Sequence, residues 1–466
     1  MLDFLKPQND WQFVIDNTSS LSFTEILDRA KTISIPKELI RSDYVALLCR
    51  NNKYFIEHLI AIWFEGLIPV PLNYQLKEKQ IKEMLESIDC NLALVDTEFK
   101  KEFNSICNSV LSFDELETKN STQEIKRNET ALVLFTSGST SFPKAVSLSH
   151  NNFESHFSSA NFEFLFSKAD NWLTSLPFYH IGGFAIIMRA LFSKAKLSLI
   201  DNFKIDAIID SLIKYNPSHI SIVPTQLFYL VKNNIQPNTN HKIMFLGGGP
   251  CDEKLLKSAL QLGWNIVKVY GSTETCSMVS SVNLRTFPNK LNSSGRMFSG
   301  NRIKIISSTG KILDQSESGE IVISSSAIAK GYLNSDNSAF GMNQYSTKDL
   351  GFIDEDGFLY IEMRREDLIV TGGENLNPAE IEMIVKKNLK YVDDCKVFGI
   401  NDLKWGQRIC AAVKSTDKDL DETQIREQLK ALLPSFKIPK SIKILKEFPT
   451  NDMGKLNVNE LKNLFM

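Results

Sequence analysis

Residues 44–95 read YVALLCRNNKYFIEHLIAIWFEGLIPVPLNYQLKEKQIKEMLESIDCNLALV, and their texture decides the fold class. Residues 44–48, 67–70 and 92–95 are short apolar runs of strand length. Between them lie a helix-spaced segment at 54–64 and a charged amphipathic one at 78–88. Strand alternating with helix points to a parallel sheet joined by crossover helices. The alternation returns downstream as helix 206–213, strand 219–223, helix 226–231, strand 243–246, helix 253–262 and strand 265–269. No repeat of roughly 20–50 residues runs through the chain, which argues against a solenoid.

Beyond about residue 295 the texture changes. Turn-forming clusters at 308–310, 317–319 and 354–357 set off short runs at 303–306, 320–324 and 358–361, which read as antiparallel strands. From about residue 367 a smaller α+β pattern follows: helix 378–388 with Pro378 in its first turn, strands 396–400 and 408–413, helix 422–432 and strand 441–445. The expectation is a large N-terminal α/β domain and a C-terminal domain of about 100 residues.

Composition narrows the function. The 466 residues suggest about two to four domains. Hydrophobic residues make up 43% and charged residues 23%, which excludes disordered, collagenous and disulfide-scaffold chains. Lys and Arg total 53 against 55 Asp and Glu, so the chain lacks the basic footprint of a nucleic-acid binder. Glu65 interrupts the best apolar stretch, 59–72, short of the ~18 residues of a transmembrane helix. The N-terminus MLDFLKPQND has no apolar core of a secretory leader. Seven widely spaced cysteines without CxxC predict reduced, buried thiols in a cytoplasmic protein. They and the six scattered histidines form no transition-metal set, whereas a hard cation held by phosphates stays open.

Six segments carry chemistry. In Phe135-Thr136-Ser137-Gly138-Ser139-Thr140-Ser141-Phe142-Pro143-Lys144, hydroxyls, a glycine and a lysine share one loop after an apolar strand at 131–135. Backbone N–H groups and hydroxyls wrap phosphate oxygens, and a lysine adds a point charge. It is not a Walker A loop, which needs glycine where Pro143 stands and Ser or Thr where Ala145 stands. A plain Ser/Gly-rich turn is the alternative. Tyr270-Gly271-Ser272-Thr273-Glu274-Thr275 lies just past strand 265–269, at the strand end where open α/β sheets gather ligands. There Thr273 suits a phosphate oxygen, Glu274 a Mg²⁺ shared with phosphates, and Tyr270 a purine face, although a lone glutamate is more often a cap or surface charge. Gly247, Gly248 and Gly249 let a backbone or flat ring come close, or make a tight turn. Asp349, backed by Arg364, suits a pair of ribose hydroxyls, or is a turn aspartate. The glycine pair Gly372-Gly373 and the glycine-flanked Lys455 say little alone.

Together and in this order, the six segments resemble the adenylate-forming superfamily of acyl-CoA synthetases, luciferases and peptide-synthetase adenylation domains, from about Tyr44 to Leu461. The resemblance implies an N-terminal domain of two α/β subdomains plus a β-barrel-like subdomain, and a small mobile α+β C-terminal domain. Residues 1–365 would bind ATP and the acid; residues 366–466, hinged at Glu366, would be a lid carrying Lys455. It further implies ATP phosphates on Thr136, Ser137, Gly138, Ser139, Thr140 and Lys144, and adenine framed by Gly247, Gly248, Gly249, Tyr270 and Gly271. Thr273 would take the α-phosphate, Glu274 the Mg²⁺, and Asp349 and Arg364 the ribose. Gly372 and Gly373 would line a passage for the thiol arm of coenzyme A, and Lys455 would bridge the substrate carboxylate and the α-phosphate. Lys455, Glu274 and Lys144 are thus the expected catalytic groups. Attack of a carboxylate on phosphorus needs charge neutralised on both reactants and no covalent enzyme intermediate. Ser141, Ala145, Lys348 and Met363 stand where the family usually has glycine, and Thr450 where a base is common, which puts these local conformations in question.

Within the superfamily, WLTSLPFYHIGGFAIIMRAL (172–191), HISIVPTQL (219–227) and TETCS (273–277) resemble the o-succinylbenzoate–CoA ligases of menaquinone synthesis. That implies a dicarboxylate substrate with one carboxyl activated and the other, on an aromatic ring, recognised. Arg189, a lone cation in an apolar helix, or Thr225 or Ser272 is the expected anchor, and His180 is expected against the acyl group. The alternatives are an arginine whose head reaches solvent and a hydrogen-bonded core histidine. An acyl- or aryl-CoA ligase for monocarboxylates, or a free-standing enzyme loading a carrier protein, would share every ATP residue. A non-catalytic nucleotide sensor would not need Glu274, Asp349, Arg364 and Lys455 together. The expected partners are ATP, Mg²⁺, coenzyme A and a small carboxylic acid; monomer and homodimer both stay open.

Overall fold

The computed structural model describes residues 10–118, 129–136, 142–249, 251–307, 309–363, 369–376, 378–417, 420–449 and 458–466. Strand Tyr44–Leu48 is central in a four-stranded parallel sheet, between Ile68–Pro71 and Leu92–Val95, with Ser109–Ser112 beyond. Val45, Ala46, Leu47 and Leu48 are fully buried because helices or other sheets cover both faces, so the strand reads as an unbroken apolar run. Helix Lys53–Phe64 starts where the Asn52 side chain accepts the Phe55 N–H, and it buries everything after its first two residues. Helix Glu78–Glu86 completes the expected alternation.

The second sheet has nine strands, in the order Arg296–Met297, Ser277–Asn283, Ile266–Ser272, Ile243–Leu246, His219–Ile222, Asn171–Leu173, Lys196–Ser198, Gln12–Ile15 and Ser20–Ser22. The six from Ile266–Ser272 to Gln12–Ile15 are parallel, and both ends are antiparallel. The strand expected to stop at 269 continues to Ser272 and folds back as a hairpin that pairs Ser272 with Ser277. Gly271 permits this, since a Cβ there would lie 1.9 Å from the Ser277 carbonyl oxygen. The strands at Gln12–Ile15 and Ser20–Ser22 were not read from the sequence, being short and flanked by polar residues.

The antiparallel part is a five-stranded sheet of Arg302–Ile306, Gly319–Ser324, Phe340–Gly341, Gln344–Ile353 and Leu359–Met363. A three-stranded sheet, Gly331–Tyr332, Lys144–Ser149 and Thr130–Thr136, lies beside the platform. The small C-terminal domain packs helices Pro378–Asn388 and Glu422–Leu432 on a sheet of five, around its own core of Ile381, Val385, Ile409, Val413, Ile425 and Leu429. The expected division at 365/366 falls in residues 364–368, outside the described residues.

One of the non-glycine residues, Ala145, sits in ordinary strand opposite Phe135, whereas Met363 pairs with Leu350 at a register shift. Lys348 instead adopts φ +64°, the left-handed conformation that a glycine would take at less cost. Ser141 and Thr450 lie outside the described residues. All seven cysteines are free thiols, five of them buried. No helix among the described residues is long and apolar enough to cross a membrane.

Candidate active site

A cavity of about 1030 Å³ opens at the carboxyl ends of the parallel strands. Thr136, His180, Arg189, Thr225, Gly247, Gly248, Tyr270, Gly271, Ser272, Thr273, Glu274, Asp349, Gly372 and Gly373 all line it. Lys144 and Gly249 stand just outside its wall. Ser137, Gly138, Ser139, Thr140, Arg364, Glu366 and Lys455 lie outside the described residues.

At one end Thr136 and Lys144 face each other across a hairpin. The Lys144 ammonium sits 4.7 Å from the centre of the Tyr332 ring, and the Tyr332 hydroxyl donates to Glu274 at 2.8 Å. Glu274 is buried at the cavity wall, and one carboxylate there is the protein share of a hard-cation site completed by phosphate oxygens. Tyr332 joins the lysine to the glutamate, and sequence reading missed it because nothing local marks a tyrosine in a two-residue strand. Nearby, the Tyr270 hydroxyl donates to Asp349 at 2.6 Å, which ties the expected adenine residue to the expected ribose residue.

The loop leading into helix Ile181–Ser193 is held from two sides. Asn51 donates to the Leu176 carbonyl at 2.8 Å and accepts the Phe178 N–H at 2.9 Å. Gly183 packs so tightly that a Cβ would lie 2.1 Å from the Pro177 oxygen. His180 occupies the N-cap without capping the helix by its side chain, which leaves the imidazole free. Its Nε2 meets Glu374 Oε2 of the C-terminal domain at 2.9 Å. Burial opposes charge on His180, but the adjacent Glu374 outweighs it and raises the imidazole above its ordinary value. Burial likewise opposes charge on Glu374, and His180 outweighs it and lowers the carboxyl.

Arg189 also lines the cavity, among Ser, Thr and apolar side chains, and its residue surface is 3% exposed. Its guanidinium lies 5.7 Å from the Trp172 ring centre and 5.8 Å from that of Phe245. Nη2 bonds to His156 Nε2 at 3.2 Å and Ser277 Oγ at 3.1 Å, while Nε has no partner. Burial pulls its pKa down to about 10, so it stays cationic at neutral pH. Ser272 Oγ and Ser221 Oγ, also in the lining, are buried without hydrogen bonds. The arginine is therefore not one that reaches solvent.

The C-terminal domain supplies one wall. Gly372 and Gly373, at φ +59° and +90°, make the turn of the hairpin that carries Glu374. A Cβ on Gly373 would come 3.2 Å from Val223, and one on Gly249 would come 2.8 Å from Val370, so glycines on each side let the domains meet. Gln80 of the N-terminal domain donates to Glu380 at 2.8 Å, and Glu380 takes Lys437 on both oxygens at 2.8 and 2.7 Å. Lys437, Glu380 and Trp405 all line the cavity and were not anticipated.

Residues 4–333 match the AMP-binding enzyme family, and residues 380–455 match the AMP-binding enzyme C-terminal domain. The chain belongs to the AMP-binding enzyme family. A 2-succinylbenzoate–CoA ligase of Listeria innocua is 30% identical over 460 residues, covering 95% of this chain and 94% of that protein. A double mutant of o-succinylbenzoate CoA synthetase from Bacillus subtilis, bound with the product analogue OSB-NCoA, matches at TM-score 0.89 and 28% identity, covering 97% and 95% of the two chains. The same enzyme in complex with the acyl-adenylate intermediate OSB-AMP matches at 0.75 and 28%, over 99% and 97%.

Proposed function

We propose that this chain is an ATP-dependent acid–CoA ligase that converts 2-succinylbenzoate to its coenzyme A thioester in the cytoplasm. Its relatives' activity, the family match and the chemistry of the cavity support one reading. In the first half-reaction a carboxylate oxygen of the acid attacks the α-phosphorus of ATP, and pyrophosphate leaves. Thr136, Ser137, Gly138, Ser139, Thr140 and Lys144 hold the β- and γ-phosphates, Thr273 the α-phosphate, and Asp349 and Arg364 the ribose. Glu274 would hold Mg²⁺, which supplies charge neutralisation on the phosphates. Lys455 brings its ammonium between the two anionic reactants.

In the second half-reaction the thiol sulfur attacks the acyl carbonyl, its proton passes to solvent, and AMP leaves with the electron pair of the mixed anhydride. Gly372 and Gly373, which stand at the cavity wall, would form the passage for the thiol arm. Residues 1–365 act as the platform and 366–466 as a lid turning at Glu366 between the two steps.

The observation that carries the choice of acid is Arg189: a buried cation facing the cavity, with no carboxylate partner among the described residues. A charge so placed is stabilised by an anion that enters with the ligand. The ring carboxylate of 2-succinylbenzoate fits such a charge, and Ser272 and Thr225 line the same cavity. The test is AMP and thioester formation with 2-succinylbenzoate, 4-oxo-4-phenylbutanoate (the same acid without its ring carboxylate), benzoate and a medium-chain fatty acid. The expected preference in kcat/KM for the dicarboxylate is about a hundredfold or more. Equal turnover of the acids lacking the ring carboxylate would make the chain a monocarboxylate ligase.

A further inference from the structure

Arg189 does not stand alone. Its Nη2 is fixed by His156, on helix His150–Phe164, and by Ser277, in the hairpin that follows Glu274. A guanidinium can only donate, so His156 Nε2 accepts, and the ring proton is on the other nitrogen. His156 is 3% exposed, and a hydrogen bond with the Met278 backbone also holds it. Burial and the neighbouring Arg189 both oppose a second proton. The arginine is thus oriented by two neutral acceptors, and its charge is left unbalanced.

The choice of acceptor matters. An aspartate or glutamate at this position would orient Arg189 equally well, but would also neutralise it and close the cavity to a second anion. A neutral imidazole orients without neutralising. We infer that His156 is a positioning residue that sets acid specificity: it holds Arg189 in place without neutralising it, so that the net positive charge serves a carboxylate on the incoming acid. This rests on the reading of Arg189 as the carboxylate anchor.

The test is steady-state kinetics of the full-length enzyme with 2-succinylbenzoate and 4-oxo-4-phenylbutanoate. His156→Glu places a carboxylate beside Arg189. It should raise KM for the dicarboxylate roughly 10–100-fold with kcat nearly unchanged, and leave KM for the monocarboxylate where it was. His156→Gln, which keeps a neutral acceptor, should retain most of the preference, and His156→Leu, which has none, should lose it. The inference is overturned if His156→Glu leaves the ratio of the two KM values unchanged, or lowers kcat alike for both acids. If the glutamate variant does not fold, the contrast between Gln and Leu decides: equal preference in both is refuting. Arg189→Met separates the layers. If it leaves the wild-type preference intact, the anchor reading fails. If it abolishes the preference while His156→Glu does not, only the role of His156 fails.

Discussion

Gln80→Ala should slow thioester formation and spare adenylation. The amide of Gln80, on helix Glu78–Glu86, donates to Glu380 across the domain boundary at 2.8 Å. Glu380 is itself held by Lys437, so the acceptor is fixed and charged when the domains meet. Under the proposed lid motion, the arrangement that puts Gly372 and Gly373 at the cavity wall is the one that forms the thioester, and turning the lid would break this bond. Gln80 is only half-buried, so water replaces part of what is lost, and the net worth of the bond is about 0.5–1.5 kcal/mol. At ~1.36 kcal/mol per tenfold, the substitution shifts the domain equilibrium away from this arrangement by about two- to thirteenfold. The cap contribution of the same side chain, a 3.5 Å contact with the Lys77 N–H, is too long to add much. The assay is a single turnover of preformed acyl-adenylate with coenzyme A, alongside ATP–pyrophosphate exchange for the first step. Equal slowing of both steps, or of neither, would refute the reasoning.

Two further outcomes concern the same interface. His180, ordinarily near 6.5, is raised, and Glu374, ordinarily near 4.5, is lowered. Their contact therefore contributes fully between those two values; it is lost as pH rises through the raised histidine value and as pH falls through the lowered glutamate value. The population of this domain arrangement, read by a fluorophore pair across the domains, should fall as pH climbs above 6.5 in the wild type and stay flat in Glu374→Gln; a parallel fall in both would discount the pair. Lys437 and Glu380, with side chains 9% and 12% exposed, form a buried ion pair. Lys437→Met strands a carboxylate and should cost about 3–5 kcal/mol in urea unfolding, most of it recovered in Lys437→Met/Glu380→Met; an unaltered single variant would contradict that burial.

Local order in the chain was legible where a period or a turn residue is enough. Tyr44–Leu48, Leu92–Val95, Ile243–Leu246, Pro378–Asn388, Glu422–Leu432 and Ser441–Leu445 lie at the bounds their patterns suggest. The same locality explains the misses: the strand through Ser272 is a strand because Ser277–Asn283 returns beside it, and Gln12–Ile15 because Lys196–Ser198 lies next to it. Motif glycines were visible as glycines, but that Gly249 and Gly373 admit valines from the opposite domain was not.

The sequence by itself determined the alternation of strand and helix, the ordered motifs and hence the family. Residue type and spacing are local properties, and they survive without knowledge of what packs where. The tertiary structure alone decided that Arg189 is buried beside His156, 33 positions away, and Ser277, 88 away, and that Glu374 reaches His180 across 194. Whether a lone arginine is a solvated helix residue or an unbalanced charge in a cavity depends on what surrounds it. Those neighbours come from separate strands and helices whose meeting is fixed by sheet order, which no local pattern encodes.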